Sequence, residues 1–512
     1  MALAATARME VECVHNAPTS PPPLDDILIG PERDKTEKRK VQNKWQPNGW
    51  KAGDWSEKEA KSIATPISLC FADRLFRAVI EVWPLRALYL ERLRFQRKTV
   101  NSARPKSLLS NKMEFSDKAK AIIAATKCDY KQVGTSGLRV SVPILGCMGF
   151  GDPNGPQGWL LGEEKALPLL KAAWERGINT WDTANNYSNG ESEILIGKAI
   201  QKYEIPRRKL VIMTKCWAFV GDEPDIPGFF PPLGPQMADI QQTKEYINQS
   251  GLSRTAIFTA VDASLERLQT SYIDLLQIHK FDASVPMEET MKALHDLVQI
   301  GKVRYIGASS MLAVEFAMLQ FTAERHGWTK FISMQNQYNL LYRENEREMN
   351  TFCNMTGVGI LPYSPLCRGH LARPLKSRGS STRSKLEEER GTMRTTGWGE
   401  PDESIINRVG GVARRRGWSM SDVSLAWLNR RITSPIVGVS SVDRLDEILE
   451  SRGKVLTDSE EECLEELYVP KPFLGLSSPT EPSLRTFTIA VDKKYLDNIP
   501  ERLSTTFLEA GI

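Results

Sequence analysis

Four side chains with acid–base or hydrogen-bonding capacity follow short apolar runs in the middle of the chain. Asp182 ends the run "INTWD", and Tyr187 follows it five residues later. Lys215 ends "VIMTK", and His279 ends "LLQIH". A carboxylate, a phenol, an ammonium and an imidazole gathered in one pocket would suit proton transfer to an oxygen that gains charge during a reaction.

These four groups divide the work if the reaction is the reduction of a carbonyl. Hydride addition to carbon leaves charge on the carbonyl oxygen, and Tyr187 is the candidate acid that protonates it. A free tyrosine has a pKa of about 10, and we expect Lys215 to lower that pKa by about three units. Asp182 would then be the counter-charge of the lysine, and His279 a hydrogen-bond donor to the carbonyl oxygen.

Each of the four residues also has an ordinary structural interpretation when it is taken alone. Asp182 could be a cap or a salt-bridge partner at the surface, and Tyr187 a packed loop aromatic. Lys215 could be a surface charge, and His279 a hydrogen-bonded core histidine. The occurrence of all four at or just beyond the ends of three successive predicted strands favours a shared catalytic pocket over four separate structural roles.

The elements that must position these groups alternate regularly along the chain. Helical stretches such as "EEKALPLLKAAWERG", "SRTAIFTAVDASLERLQ", "MEETMKALHDLVQIG" and "MLAVEFAMLQFTAERHG" separate most of the strand candidates. The eight strand candidates are "VPILGCM", "INTWDTA", "LVIMTKC", "IDLLQIH", "VRYIGAS", "ISMQNQY", "VGILPYS" and "SPIVGVS". This alternation predicts an α/β fold, a closed (β/α)₈ TIM barrel whose chemistry lies at the C-terminal ends of its strands.

Further features surround the predicted barrel. The segment "YKQVGTSGLRVSVPILG" predicts an N-terminal hairpin that turns at Ser136 and Gly137. Two long connections, 217–252 and 366–401, follow predicted strands and should lie over the C-terminal face. The domain prediction is an irregular N-terminal extension over 1–127 with short amphipathic helices, the barrel over 128–475, and a C-terminal tail over 476–512 without an assigned function.

Composition limits the function classes that need to be considered. The chain has 512 residues, of which 41% are hydrophobic, and this is enough for a large soluble core. A net charge of +4 predicts no nucleic-acid partner and no attraction to an acidic membrane. Eight cysteines without a CxxC pair predict neither a disulfide framework nor a metal site. No stretch is apolar enough for a membrane span, so the expected location is the cytoplasm.

Several motifs together resemble a known family. They are "WDTANNYSNGESE", "TKCW", "DLLQIHKFD", "VRYIGASS", "QNQYNLLYRE" and "PYSPLCRGHLARP". In these segments the chain resembles the NADP-dependent aldo-keto reductases, and most of all their fungal aryl-alcohol dehydrogenase-like branch. The resemblance extends over about 128–475. It implies a TIM-barrel oxidoreductase whose catalytic tetrad is Asp182, Tyr187, Lys215 and His279.

No Rossmann fingerprint is present, so NADP(H) must be bound in another way. The resemblance implies what that way is. The glycine-rich "GCMGFGDPNGPQG" has the wrong spacing and predicts tight backbone after the first strand instead. In the family the cofactor lies extended across the strand ends. The residues expected to bind it are Gly146, Asp182, Ser309, Ser310, Gln335, Tyr363, Ser364, Leu366, Gly369, Leu371, Arg373, Ser440 and Arg444.

Each part of the cofactor has its expected partners. Ser309, Ser310 and Gln335 would hydrogen-bond the carboxamide, and Tyr363 would stack on the nicotinamide. The loop over 364–373, with Arg368 and Arg373, would cover the pyrophosphate. Arg444 and the helix N-terminus after the eighth strand would hold the 2′-phosphate, which favours NADP over NAD. Two positions depart from relatives, which often carry asparagine where Ile448 stands and lysine where Gly438 stands.

The expected substrate is a small carbonyl or alcohol compound. Trp217, His279 and the loop "GFFPPLG" predict an aromatic pocket for aromatic or aliphatic aldehydes and alcohols. An alternative function is an NADP-binding regulatory module with slow turnover, as in the potassium-channel β subunits. A barrel hydrolase with paired carboxylates is a weaker alternative, because no second acid is predicted to face Asp182.

Overall fold

A computed structural model of the chain describes residues 116–155, 158–223, 226, 239–377, 381–389 and 399–473. Most of the predicted extension and the whole predicted tail lie outside these residues, as does the loop "GFFPPLG" at 228–234. The part of the extension that is described contains helix α1, Asp117–Ala125, which begins after a Ser116 cap and has no buried residue.

The predicted hairpin and all eight predicted barrel strands are present. The hairpin pairs β1 (Asp129–Gln132) with β2 (Arg139–Val142) in antiparallel register. The barrel strands are parallel neighbours in chain order: β3 (Ile144–Gly146), β4 (Thr180–Asp182), β5 (Val211–Cys216), β6 (Ile273–Ile278), β7 (Val303–Ser309), β8 (Ser333–Gln335), β9 (Gly359–Ile360) and β10 (Ile436–Val437). Strand β10 also pairs with β3.

Backbone hydrogen bonds between the ninth and tenth strands close the ring. The amide of Ile436 donates to the carbonyl of Pro362 at 2.9 Å, and the amide of Thr433 donates to that of Ile360 at 3.0 Å. With β10 already paired to β3, every barrel strand has a neighbour on both sides. The predicted (β/α)₈ barrel is therefore confirmed.

Helices follow most of the barrel strands and cover their outer faces. The four amphipathic stretches quoted above form α2 (Glu163–Glu175), α4 (Arg254–Leu268), α5 (Met287–Gln299) and α6 (Ala313–His326). Ser253 caps α4 through the amide of Ala256, and Gly327 ends α6 in the left-handed conformation. The others are α3 (Glu191–Lys202), α7 (Met349–Thr356), α8 (Thr382–Glu389), α9 (Glu400–Arg416), α10 (Met420–Asn429), α11 (Val442–Leu449) and α12 (Asp458–Glu465). Within the described ranges, no helix combines the length and apolarity needed to span a bilayer.

The inside of the barrel has two layers of different chemistry. The lower one, here called the apolar floor, joins hairpin residues to inward-facing strand residues: Val133, Val140, Ile144, Met213, Leu275, Leu361 and Ile436. The upper one, here called the polar layer, lies nearer the C-terminal strand ends and consists of Asp182, Lys215, Gln277 and Gln335, all buried. Because side chains on one face of a strand recur every second residue, β5 and β6 each supply both layers.

Candidate active site

Lys215 is the centre of the site, and three acceptors surround its ammonium group. Its Nζ donates to Asp182 Oδ2 at 2.6 Å, to the carbonyl of Thr183 at 2.8 Å and to Tyr187 Oη at 3.2 Å. The Lys215 side chain is fully buried and that of Asp182 is 2% exposed. A buried ion pair of this kind requires that its remaining hydrogen-bonding capacity is also satisfied, and here it is.

Tyr187 and His279 are in contact with each other next to this ion pair. Their rings are in edge-to-face contact with centroids 5.8 Å apart. The Tyr187 ring also lies 4.9 Å from Lys215 Nζ, measured to the ring centroid. The structure thus brings the four predicted side chains together in one place, as the strand-end positions in the sequence required.

The turn that carries Tyr187 is held by side chains from its own neighbourhood. Ser188 and Asn189 both adopt left-handed backbone conformations just after Tyr187. The hydroxyl of Ser188 accepts a hydrogen bond from the amide of Asp152 at 3.0 Å. Asn189 donates to the carbonyls of Gly221 and Glu223 and accepts from the amide of Gly221. The loops after β3, β4 and β5 are therefore tied together around Tyr187.

The start of α3 has an unusual cap. Asparagine is a common capping residue and Asn189 stands just before the helix, but Gly190 occupies the capping position with a φ of 93° and without a side-chain hydrogen bond. The side chain of Asn189 is used by the loop after β5 instead. Glu193 lies in the first turn of α3, where it is buried and accepts hydrogen bonds from Thr214 and Arg267.

The charge states in the site differ from the simplest expectation. Burial raises the pKa of Tyr187 above its ordinary value of 10, and Lys215 offsets only part of that increase. Burial alone would lower the pKa of Lys215, but Asp182 and Tyr187 together raise it. At neutral pH the site therefore holds a protonated phenol beside an ammonium group. The expected net depression of the Tyr187 pKa is therefore absent, because burial outweighs the effect of Lys215.

His279 is neutral in this environment. Burial is the main cause that lowers its pKa well below the ordinary 6.5, and the charges of Lys215 and Lys280 act in the same direction. A neutral imidazole carries one N–H and can donate one hydrogen bond. It can therefore orient a carbonyl oxygen without competing with Tyr187 as a strong acid.

Gln277 belongs to the site, although no expectation from the sequence included it. Its Nε2 donates to Asp182 Oδ1 at 3.0 Å, and Gln335 Nε2 donates to the same oxygen at 2.9 Å. Gln335 Nε2 also donates to Gln277 Oε1 at 2.9 Å. A signal for Gln277 was present in the sequence, because it lies two residues before His279 in the run "LLQI", whose other residues are apolar.

The residues expected near a carboxamide lie next to Gln335. Ser309 Oγ donates to the carbonyl of Gln335 at 2.7 Å. The amide of Ser310, which has a φ of 49°, donates to Asn336 Oδ1 at 2.7 Å. Asn336 is a second residue that the sequence did not indicate, and it holds Ser310 in this uncommon backbone conformation.

The loop after β9 has the features that a bound pyrophosphate needs. Gly369 has a φ of 97°, and a Cβ at this position would lie 3.0 Å from Arg373 Nη2. Arg368, Gly369 and Arg373 line a cleft at the surface of this loop. Basic side chains and closely approaching backbone suit an anionic group. The same segment contains Ser364, Leu366 and Leu371, and the half-buried Tyr363 lies close enough to affect the pKa of Tyr187.

The residues expected at the other end of the cofactor lie around β10. Gly146 is buried against this strand, where a Cβ would lie 3.1 Å from Ile436 Cγ2. Ser440 and Arg444 are exposed beyond the strand end. Ser441 caps α11 by accepting from the amide of Arg444, whose guanidinium pairs with Glu447.

Further features of α11 bear on a 2′-phosphate at its N-terminus. Asp443, in the first turn of α11, opposes an anion there, and one amide is already used by the Ser441 cap. Ile448, at the position where relatives often carry asparagine, is buried. The exposed Arg444 is therefore the group on α11 best suited to a phosphate.

Trp217 marks the expected substrate side. It is half-buried, and Lys280 Nζ lies 5.1 Å from its ring centroid. Lys280 directly follows His279, whose amide donates to the carbonyl of Cys216, the residue before Trp217, at 3.0 Å. Within the described residues, no cluster of three His, Cys, Asp or Glu side chains is arranged to hold a metal ion.

Comparisons with known proteins show which family the chain resembles in sequence. The sequence profile of the Aldo/keto reductase family matches residues 144–469. Aldo-keto reductase dtxS3 of Metarhizium robertsii is 55% identical over 356 residues, covering 69% of this chain and 95% of that protein. Versiconal hemiacetal acetate reductase of Aspergillus parasiticus is 49% identical over 344 residues, covering 67% and 98%. A Schizosaccharomyces pombe protein named for an expected aryl-alcohol dehydrogenase activity is 46% identical over 347 residues, covering 68% and 97%.

Proposed function

This chain belongs to the aldo-keto reductase family of oxidoreductases, and we propose that it transfers hydride between NADP(H) and a small carbonyl or alcohol, with Tyr187 as the acid and base. The main support for the proposal is that one buried ammonium group contacts both the counter-charge and the proton donor that carbonyl reduction needs. Lys215 Nζ bonds Asp182 on one side and Tyr187 on the other.

During reduction, Asp182 and Lys215 of the polar layer would act together with Tyr187 and His279 next to it. NADPH supplies the hydride that the carbonyl carbon accepts. The neutral His279 donates a hydrogen bond to the carbonyl oxygen and orients it. Tyr187 Oη then gives its proton to that oxygen, and Lys215 stabilises the phenolate that remains. Asp182 keeps Lys215 in place and charged throughout.

The pKa directions support Tyr187 as a proton donor at neutral pH. Burial keeps the phenol protonated, as a group that must donate a proton requires. The adjacent ammonium matters when the proton leaves, because it stabilises the negative charge that forms in a site shielded from water. In the reverse direction the same tyrosine would act as a base, and oxidation would need a higher pH than reduction.

Several residues support NADP(H) as the cofactor. The carboxamide end has Ser309, Ser310 and Gln335 grouped at adjacent strand ends. The phosphate end has the cleft beside Arg368 and Arg373 and the exposed Arg444. The preference for NADP over NAD depends mainly on these arginines, and a comparison of Kd values for NADPH and NADH tests it.

The proposed substrates are aromatic or aliphatic aldehydes and the corresponding alcohols. Half-buried Trp217, which directly follows the end of strand β5, supports an aromatic substrate, and so does the name of the Schizosaccharomyces pombe relative. The proposed location is the cytoplasm, since the eight cysteines without a pairing pattern suit a reducing compartment. Fractionation of cells that express the tagged protein tests this location.

One assay decides between the proposed function and its alternative. The purified full chain should consume NADPH in the presence of benzaldehyde or related aldehydes, measured by the loss of NADPH absorbance. A protein that binds NADPH but reduces no member of a broad carbonyl panel would favour the regulatory module of the potassium-channel β type. A protein that binds neither NADPH nor NADH would contradict both.

A further inference from the structure

Gln277 has a central place in the polar layer that none of the roles above explains. It is fully buried on β6, and its amide joins Asp182 to Gln335. A Cβ on Gly307 of the neighbouring strand would lie 3.2 Å from Gln277 Cγ. Because Gly307 has no side chain, Gln277 has room to extend across the barrel.

The Asp182 carboxylate determines which way both glutamine amides face. A carboxylate paired with a lysine only accepts hydrogen bonds, so each amide must turn an N–H toward it. If the amide of Gln335 turned over, its oxygen would face Asp182 and also the oxygen of Gln277. Two hydrogen bonds would become two repulsive contacts inside a buried site. Gln277 and Asp182 together hold Gln335 in one orientation.

That orientation limits what Gln335 can offer to a ligand. An amide nitrogen has two protons, and those of Gln335 point to Asp182 Oδ1 and to Gln277 Oε1, each at 2.9 Å. The remaining group is Oε1, which only accepts. The carboxamide of a nicotinamide cofactor has both a carbonyl oxygen and an N–H₂ group. Of these two, only the N–H₂ can pair with Gln335.

We propose that Gln277 is a positioning residue that makes Gln335 an acceptor for the carboxamide N–H₂ of the cofactor, an inference that rests on the proposed NADP(H) function. The side-chain amide of Gln277 bonds Asp182 and Gln335, and no hydrogen bond joins it to the phenol of Tyr187. Through Gln335, Gln277 favours a cofactor whose ring substituent can donate a hydrogen bond. Without the oxygen of Gln277, one proton of Gln335 loses its partner and the amide is less firmly held.

A cofactor analogue tests this selection directly. In the 3-acetylpyridine analogue of NADP⁺ a methyl ketone replaces the carboxamide, so the ring substituent accepts hydrogen bonds but cannot donate. The wild-type chain should bind NADP⁺ about three- to tenfold more tightly than the analogue, the size expected for one hydrogen bond. The two Kd values are measured by quenching of tryptophan fluorescence, which requires no turnover.

Two substitutions at the same position separate positioning from packing. Gln277→Met keeps the length but removes the amide, so one of the two contacts that hold Gln335 is lost and the ratio of the two Kd values should fall. Gln277→Glu introduces a carboxyl whose pKa the neighbouring Asp182 carboxylate raises, so this carboxyl stays protonated, donates its O–H to Asp182 and still accepts from Gln335. The ratio should then stay near that of the wild type. A fall in the ratio for Gln277→Glu would overturn the proposal even if Gln277→Met did not fold.

Gln320 provides a matched control elsewhere in the fold. This buried glutamine on α6 donates to the carbonyl of Phe331 and accepts from its amide. Gln320→Met removes a comparable buried amide, so it should lower stability while leaving the Kd ratio unchanged. A folded Gln277→Met variant with the wild-type ratio would overturn the role of Gln277 alone. A wild-type chain that binds neither nucleotide would overturn the proposed function, and this inference with it.

Discussion

Met213 and Lys215 lie two positions apart on β5 and face the same way, and Leu275 and Gln277 do so on β6. Met213 and Leu275 contribute to the apolar floor, where hairpin residues close the barrel from below. Lys215 and Gln277 contribute to the polar layer, where both donate hydrogen bonds to the carboxylate of Asp182. On each of these strands, a step of two residues therefore leads from the apolar floor to the polar layer.

The two layers respond to different physical demands. The apolar floor gains stability by excluding water and needs only shape. The polar layer must compensate the loss of hydration of a buried charge pair with hydrogen bonds of good geometry. Substitutions in the apolar floor should therefore affect mainly stability. Substitutions in the polar layer, or of Tyr187 and His279 next to it, should also affect the reaction. The experiments below test this separation, beginning with the largest expected effect.

Replacement of Tyr187 by phenylalanine should have the largest effect on the reaction. Loss of the proton donor should lower kcat for aldehyde reduction about 10³-fold, while the Kd for NADPH stays within about twofold. Steady-state kinetics and fluorescence titration measure the two quantities. If Tyr187→Phe reduced aldehydes as fast as the wild type, the assignment of the acid would be wrong.

Removal of the Lys215 charge should affect both stability and the reaction. Lys215→Met leaves Asp182 buried without its counter-charge, which should lower the free energy of unfolding by about 3 to 5 kcal/mol. The double variant Asp182→Asn with Lys215→Met should recover much of that loss but none of the activity. Urea unfolding and kcat are measured on both. Recovery of activity in the double variant would show that the ion pair serves only stability.

A substitution in the apolar floor should show the opposite pattern. Leu275→Ala removes a fully buried side chain one step below Gln277 and should cost about 3 kcal/mol of unfolding free energy. The kcat per folded molecule should remain within about twofold at a temperature where the variant is folded. A large fall in kcat with normal folding would mean that the two layers are not separable.

The smallest effect is a pH dependence of stability that depends on His279. Its pKa in the folded protein lies well below 6.5, so only the unfolded chain takes up this proton as the pH falls below about 6.5. The stabilisation is present above that pH and is lost as the pH falls further. Between pH 7 and 5.5 the wild type should lose about 1 kcal/mol more than His279→Gln, measured by urea unfolding. Equal losses would contradict a buried, neutral His279.

Much of the architecture could be predicted from local pattern. Apolar runs of strand length alternating with helical spacing predicted the eight strands and the barrel. Because parallel barrel strands deliver their ends to one face, the same pattern also predicted that Asp182, Lys215 and His279 meet. Asn189 could not be placed in this way, since its choice between capping α3 and binding the loop at Gly221 depends on how that loop folds.

The sequence determines the residue types of the site, but the folded structure determines their pKa values and hydrogen bonds. The sequence shows a tyrosine near a lysine, whereas burial in the folded barrel decides that the Tyr187 pKa rises despite that lysine. Gln277 and Gln335 are separated from Asp182 by 95 and 153 positions along the chain. Closure of the barrel and its strand register bring these three side chains together, because hydrogen bonds depend on distances in space and not on separations in sequence.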